Sequence, residues 1–170
     1  MKLQIGGFLD NSLVNGYGMR SVVFVSGCKH NCENCQNRAM QDFTYGDSVS
    51  IHDIVQKIKN NMPIIKGITL SGGEPFESAM VLSKLSAVVK DLGLDIWCYS
   101  GYTFEEILNC GDSEKLRLLS VIDVLIDGKF DETLKEGASK YTGSSNQRII
   151  DTRKSILENK IVLWSEELNK

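Results

Sequence analysis

The chain has 170 residues, a length that suits one domain with its own hydrophobic core. Its hydrophobic share of 42% and charged share of 24% are those of an ordinary soluble globular protein. The formal net charge of −3, without any run of Lys or Arg, gives no electrostatic reason to expect nucleic acid or an anionic membrane as a partner. We therefore expect a single domain over residues 1–170 that binds neither.

The predicted elements alternate between strand and helix along the chain. Short β-branched or aliphatic runs predict the strands, and apolar residues at helical spacing predict the helices. Capping boxes are predicted to begin two helices, at Ser50 and at Thr103. In chain order we predict a strand at 21–26, a helix from 51, a strand at 67–70, a helix at 80–92, a strand at 94–99, a helix from 104, strands at 121–126 and 147–150, a helix at 155–159 and a last strand at 161–164.

Polar and Gly-rich segments follow the predicted strands. Alternating βα units indicate a parallel sheet with helices on one or both faces. In such folds ligands lie at the carboxyl ends of the strands, so we expect the candidate sites on one edge of one sheet. The segments concerned are the cysteine loop after Gly27, then Ser71–Pro75, Ser100–Tyr102 and Asp127–Lys129.

Cysteine usage and the N-terminus indicate the cellular compartment. No apolar stretch approaches the roughly 20 residues that span a bilayer, and residues 1–7 lack the apolar core of a signal peptide. We therefore expect a cytoplasmic protein. Three of the five cysteines fall within eight positions. An odd number of cysteines in a reducing compartment argues against a disulfide framework, so the cluster indicates metal or redox chemistry.

The cysteine loop is the main candidate for a metal centre. Cys28, Cys32 and Cys35 can converge on one centre, and soft thiolates select iron–sulfur clusters, zinc or copper. A cubane cluster needs four ligands, so three cysteines would leave one iron open to a substrate. Zinc is the alternative, although zinc fingers and ribbons usually place their ligands in two separated pairs. A fourth zinc ligand would have to come from His30, Cys98 or Cys110.

Two other loops offer groups to a ligand. Ser71–Pro75 alone would favour a tight turn, but beside the cysteine loop its bare backbone and the Glu74 carboxylate favour ligand binding. Asp127–Lys129 forms either a surface turn or a carboxylate and ammonium pair for a zwitterionic cofactor. Three further residues are expected to have no chemical role: Cys98 as a small core residue, Cys110 near a helix end and His52 in a first helical turn.

A Cys-x3-Cys-x2-Cys motif after a strand, followed by a Gly-Gly-Glu-Pro loop, resembles the radical S-adenosylmethionine superfamily. Within it, the chain resembles the activating proteins of anaerobic ribonucleoside-triphosphate reductases. One position departs from the superfamily pattern, since Asn34 stands where many members carry an aromatic residue beside the adenine. The matching blocks are Asn15-Gly16-x-Gly18-x-Arg20, residues 24–37, Ser71–Pro75, Ile96-Trp97 with Gly101-Tyr102, Asp123–Phe130 and Gly143–Gln147.

The resemblance implies an α/β fold that is an open, incomplete (β/α) barrel of the radical S-adenosylmethionine type. It implies one [4Fe–4S] cluster per chain on Cys28, Cys32 and Cys35, with S-adenosylmethionine bound through its amino and carboxylate groups to the open iron. The residues that would bind S-adenosylmethionine are Asn34, Cys35, Gln36, Asn37, Gly72, Gly73, Glu74, Asp127 and Lys129.

The implied activity is reductive cleavage of S-adenosylmethionine to methionine and a 5′-deoxyadenosyl radical, which removes a hydrogen atom from a glycine Cα of the reductase. The cofactors carry this chemistry, so no acid–base residue is assigned. A flavodoxin-type protein is the implied electron donor. The alternatives are another small radical enzyme, of the pyruvate formate-lyase activase or carboxydeazaguanine synthase type, and a non-catalytic zinc-binding adaptor.

Overall fold

A computed structural model describes residues 1–169. The last residue of the predicted domain, residue 170, lies outside the described residues. The strands are β1 (Lys2–Ser12), β2 (Arg20–Val25), β3 (Asp47–Ser50), β4 (Gly67–Gly72), β5 (Asp95–Ser100), β6 (Val124–Asp127) and β7 (Arg148–Asp151). The α-helices are α1 (Ile51–Asn61), α2 (Ala79–Asp91), α3 (Phe104–Leu108), α4 (Ser113–Val121) and α5 (Thr152–Glu158).

The strands form one sheet in the order β3-β1-β2-β4-β5-β6-β7. The four strands β2, β4, β5 and β6 run parallel, and β1, β3 and β7 run antiparallel to their neighbours. Parallel neighbours need crossover connections, which α1, α2 and the α3–α4 pair provide. The edge strands β3 and β7 do not pair with each other, so the sheet of residues 1–169 is not closed. The α/β class is confirmed.

The sheet has a different core on each face. Ile96 and Cys98 of β5 join a large apolar cluster that includes the inward sides of α1, α2 and α4. Trp97 points to the other face, because successive side chains of a strand alternate. There it packs with Val124 and Ile126, and the partly buried residues that cover this second cluster are Tyr17, Tyr99, Tyr141, Ile149 and Trp164.

Arg20 is fully buried at the start of β2. Its guanidinium donates to the carbonyl oxygens of Tyr17 and Ile68, each at 2.8 Å, and to Thr69 Oγ1 at 2.9 Å, and it pairs with Asp95. Burial lowers the pKa of Arg20, and the neighbouring Asp95 opposes that shift. These contacts join the amino ends of β2, β4 and β5, which gives a structural reason for the arginine in this block.

Most predicted elements are found with their bounds shifted by one to three residues. Ser50 Oγ accepts the Asp53 N–H at 3.0 Å, and Thr103 forms a complete capping box with Glu106. The strand predicted from residue 121 was wrong at its start, because that residue ends α4. The predicted last strand is reduced to one bridge between Ile150 and Leu163. Three elements were not predicted, namely β1, β3 and α4. No helix within residues 1–169 combines the length and apolar character needed to cross a bilayer.

Candidate iron–sulfur and cofactor site

The loops that follow β2, β4 and β5 meet at the carboxyl edge of the sheet, as predicted. A cavity of about 540 Å³ opens between them and the segment after β6. Cys28, Cys32 and Cys35 all line this cavity. Four other residues predicted to bind the cofactor line it as well: Gln36, Asn37, Gly72 and Gly73.

The cysteine loop turns sharply twice. Asn31 and Asn34 both have φ of +51°, a left-handed conformation that Asn adopts more readily than most other residues. This conformation gives a backbone reason for Asn34 at the position where the superfamily often has an aromatic residue. The Asn34 side chain is exposed and donates to Glu132, on the segment after β6, instead of lining the cavity.

The donor set fits a cluster held by three thiolates. All three cysteines are partly buried, and burial raises the pKa of the Cys28 thiol. Burial, followed by the neighbouring Cys35, also raises the pKa of the Cys32 thiol. Among residues 1–169, no three His, Cys, Asp or Glu side chains form a compact ion-binding group. Such thiols are deprotonated when a metal binds.

The other candidate metal ligands have different surroundings. Cys98 is buried in the apolar cluster on the helical face, as predicted for a core residue. Cys110 is exposed after α3 and does not line the cavity. His30 does line the cavity, but its Nε2 atom lies 2.7 Å from Glu74 Oε2. Within residues 1–169, Cys98 and Cys110 therefore lie away from the three clustered cysteines, and the His30 imidazole is engaged by Glu74.

Glu74 is fully buried behind the cavity wall. Besides His30, it accepts hydrogen bonds from Ser100 Oγ at 2.9 Å, the Gly101 N–H at 2.8 Å and the Phe76 N–H at 3.0 Å. A carboxylate with these donors is well satisfied in the interior. Its oxygens therefore join three loops, and Glu74 is not among the residues that line the cavity.

Gly72 and Gly73 are needed for the close approach of two loops. A Cβ on Gly72, whose φ is +99°, would lie 2.4 Å from the Val25 carbonyl oxygen, and one on Gly73 would lie 2.6 Å from the Gly27 oxygen. Asn37 Nδ2 also donates to the Gly72 oxygen at 3.0 Å. Bare backbone at these positions thus serves loop packing, and it also lines the cavity.

Asp127 and Lys129 lie outside the cavity lining, whereas Gly128 between them contributes to it. Asp127 is buried and pairs with Arg148 at 2.6 Å. Lys129 is exposed at the rim, and its positive charge partly offsets the burial that raises the Cys32 pKa. Of the predicted carboxylate and ammonium pair, Asp127 is therefore paired with Arg148 and Lys129 is exposed.

The Gly143–Gln147 block forms part of the cavity wall and is held in place by hydrogen bonds. Gln147 Oε1 accepts the Gly143 N–H at 2.7 Å, and Gln147 Nε2 donates to the Gly128 oxygen at 2.9 Å. The fully buried Ser144 accepts the Asp131 N–H through its hydroxyl. These bonds hold an irregular segment against the end of β6 and account for the small polar residues of the block.

Comparison with known proteins identifies the family. Residues 14–150 match the family described as a 4Fe-4S single cluster domain. The anaerobic ribonucleoside-triphosphate reductase-activating protein of Haemophilus influenzae is 34% identical over 149 residues, which cover 84% of this chain and 94% of that protein. Its namesakes from phage T4 and Escherichia coli K12 are 36% and 34% identical, over 80% and 79% of this chain and 86% and 90% of their own. The chain belongs to this family of activating proteins.

Membership in the activating-protein family confirms the resemblance drawn from the sequence motifs. The matched domain is described by a 4Fe-4S cluster, which favours an iron–sulfur centre over zinc. Sequence reasoning missed the pairing of His30 with Glu74, because the two residues are 44 positions apart. It also missed Tyr99 and Tyr141 on the cavity wall. The alternation along β5 was the available signal for Tyr99, since its neighbour Cys98 was already assigned to the core.

Proposed function

We propose that the protein is a radical S-adenosylmethionine activase that generates a glycyl radical on an anaerobic ribonucleoside-triphosphate reductase. The observation that carries this proposal is the set of three cysteines lining one cavity at the open carboxyl edge of the sheet, in a member of the activating-protein family. The sheet and its helices would then correspond to an open, incomplete (β/α) barrel that forms a single radical S-adenosylmethionine domain.

Cys28, Cys32 and Cys35 would hold one [4Fe–4S] cluster and leave one iron for S-adenosylmethionine. When both are bound, they would supply the reductive cleavage of S-adenosylmethionine and the radical chemistry that activates a glycine of the reductase. The protein's residues bind and orient these groups and exclude water from the cavity.

The predicted cofactor residues take two kinds of role in this proposal. Cys35, Gln36, Asn37, Gly72 and Gly73 line the cavity and would contact S-adenosylmethionine directly, whereas Asn34 and Lys129 would act from the rim. Two predicted contacts are buried behind the wall. Glu74 would hold the loops of the site together, and Asp127 would hold β7 and the start of α3 at the end of β6.

The exposed edge of the site supports a protein partner. Val14 lines the cavity and is 76% exposed, which would give a loop of a protein substrate a route to the centre. A flavodoxin-type protein would deliver the electron. Because the cluster and the thiols need reducing conditions, we place the activity in the cytoplasm.

Radical transfer is the decisive experiment. The protein is purified anaerobically, its iron, sulfide and zinc are measured, and it is then reduced and mixed with S-adenosylmethionine and the reductase from the same source. We expect a glycyl doublet in the electron paramagnetic resonance spectrum. Cys28→Ala is expected to abolish the doublet, whereas Cys110→Ala, at an exposed thiol outside the cavity, is expected to retain it.

Each alternative has its own outcome in the same experiment. Stoichiometric zinc without a cluster would favour the non-catalytic adaptor. A cluster that cleaves S-adenosylmethionine but produces no doublet on the reductase would favour another small radical enzyme. A doublet on pyruvate formate-lyase in place of the reductase would identify the activase of that enzyme.

A further inference from the structure

His30 lies inside the cysteine loop and lines the cavity, and its side chain is anchored to the buried Glu74. The imidazole is 7% exposed and the Glu74 carboxylate is fully buried, with 2.7 Å between Nε2 and Oε2. Its two neighbours in sequence differ, since Lys29 has a 70% exposed side chain and Asn31 is exposed. Between Cys28 and Cys32, His30 is therefore the residue whose side chain is anchored in the interior.

The anchor joins three loops, which follow three different strands. Glu74 belongs to the loop after β4 and also accepts hydrogen bonds from Ser100 and Gly101 at the end of β5. The Tyr102 ring meets the imidazole edge-on, with ring centroids 4.4 Å apart. The cysteine loop is thus tied to the Gly72–Gly73 backbone by way of the carboxylate next to it.

Gly101 shows that the fold makes room for this imidazole. A Cβ on Gly101 would lie 2.5 Å from the His30 ring, closer than real Cβ contacts. Gly101 has an ordinary φ, so backbone conformation does not require glycine there. The glycine that the sequence places after β5 is explained by the space that His30 occupies.

We propose that His30 is a positioning residue, whose hydrogen bond to Glu74 holds the cysteine loop in register with the Gly72–Gly73 loop. This inference rests on the function proposed above. The cluster would be bound by the first loop and S-adenosylmethionine by both, so binding of S-adenosylmethionine requires the two loops in one relative position. Loss of the bond therefore weakens that binding more than it slows the chemical step, because the loops must be ordered again at each binding event.

The test compares His30→Ala with His30→Gln, whose amide can still donate to Glu74. His52→Ala is the matched control, because His52 lies on α1 with a 77% exposed side chain. The reduced cluster is titrated with S-adenosylmethionine and its electron paramagnetic resonance signal is followed. The S-adenosylmethionine concentration that gives the half-maximal change is expected to rise about tenfold or more in His30→Ala. A loss of affinity of this size is typical when a buried hydrogen bond to a charged group is removed.

Three features distinguish positioning from a general loss of folding. The KM for S-adenosylmethionine should rise more than kcat falls, His30→Gln should recover most of the affinity, and His52→Ala should match the parent. The inference is overturned if His30→Ala binds S-adenosylmethionine like the parent, or if His30→Gln is as impaired as His30→Ala. A parent protein that assembles no cluster would instead contradict the proposed function.

A second variant keeps the test valid if His30→Ala fails to retain its cluster. Gly101→Ala preserves the imidazole and the carboxylate but displaces the ring, and it should reproduce the tenfold loss. Gly7→Ala is its control, because a Cβ there meets only Phe24 at an ordinary 3.9 Å. Unchanged affinity in Gly101→Ala would overturn the inference.

Discussion

Two carboxylates stand at the ends of parallel strands in this protein, and they have different neighbours. Glu74 follows β4 and Asp127 ends β6, each has a glycine beside it, and both side chains are buried. The sequence predicted that both would contact the cofactor. In the structure the glycines line the cavity, while each carboxylate turns away from it to accept hydrogen bonds from other segments.

The difference lies in where those donors come from. Glu74 is bonded to His30 in the cysteine loop and to the loop after β5, so its partners are parts of the site. Asp127 is bonded to Arg148 of β7 and to the Phe104 N–H that begins α3. One carboxylate therefore organises the site, and the other fastens the edge strand and a helix to the sheet. Strand position alone does not distinguish these two roles.

Removal of the Glu74 carboxylate is expected to have the largest effect. Glu74→Ala leaves the donors of His30, Ser100 and Gly101 without their buried acceptor, so the free energy of unfolding should fall by about 3–5 kcal/mol. Cleavage of S-adenosylmethionine should be lost at the same time, because three loops lose their common contact. Urea unfolding of the protein, together with a cleavage assay, measures both effects.

Glu158→Ala serves as the control for that change, since Glu158 is exposed at the end of α5. If Glu74→Ala unfolds with the free energy of the parent and still cleaves S-adenosylmethionine, the loop-joining role of this carboxylate is wrong.

Removal of the Asp127 carboxylate is expected to cost stability but not cofactor affinity. In Asp127→Ala, Arg148 keeps its ion pair with Glu105 and remains 35% exposed, so the free energy of unfolding should fall by about 1–3 kcal/mol. The KM for S-adenosylmethionine should stay near that of the parent. Steady-state kinetics on the anaerobic holoenzyme checks this. A KM raised tenfold or more would contradict the prediction and support the direct contact between Asp127 and S-adenosylmethionine that the sequence predicted.

The sequence was sufficient to predict the site's location but not the hydrogen bonds and ion pairs within it. The spacing of the cysteines and the Gly-Gly pair after the next strand placed them on one edge, because carboxyl ends of parallel strands coincide. The bond between His30 and Glu74 and the pair of Asp127 with Arg148 depend on loop paths, which have no periodic signal. For the same reason, Arg20 was recognised only as part of a motif and not as the buried link between strands.

The fold was predicted best where the hydrophobic pattern was strongest. The central strands are short apolar runs buried on both faces, and they were found with small shifts. β1 was missed because Gly6, Gly7 and polar residues interrupt its pattern, and β3 because it is short and exposed. The amino-acid composition of β7 gave no sign that this strand pairs antiparallel with β6.

The smallest effect is expected from a change at Glu105, an exposed residue that shares Arg148 with Asp127. Hydrogen bonding to Arg148 lowers the pKa of Glu105 from its ordinary value of 4.5. The contribution of this pair is therefore complete above about pH 4.5 and is lost as the pH falls through the lowered folded-state value. Because the Glu105 side chain is 51% exposed, the contribution should be about 0.2–1 kcal/mol.

Urea unfolding from pH 3 to 7 should show Glu105→Gln less stable than the parent at neutral pH and converging with it in acid. A difference that persists or grows at low pH would mean that Glu105 does not stabilise Arg148 through its charge, leaving Asp127 to hold the edge strand alone.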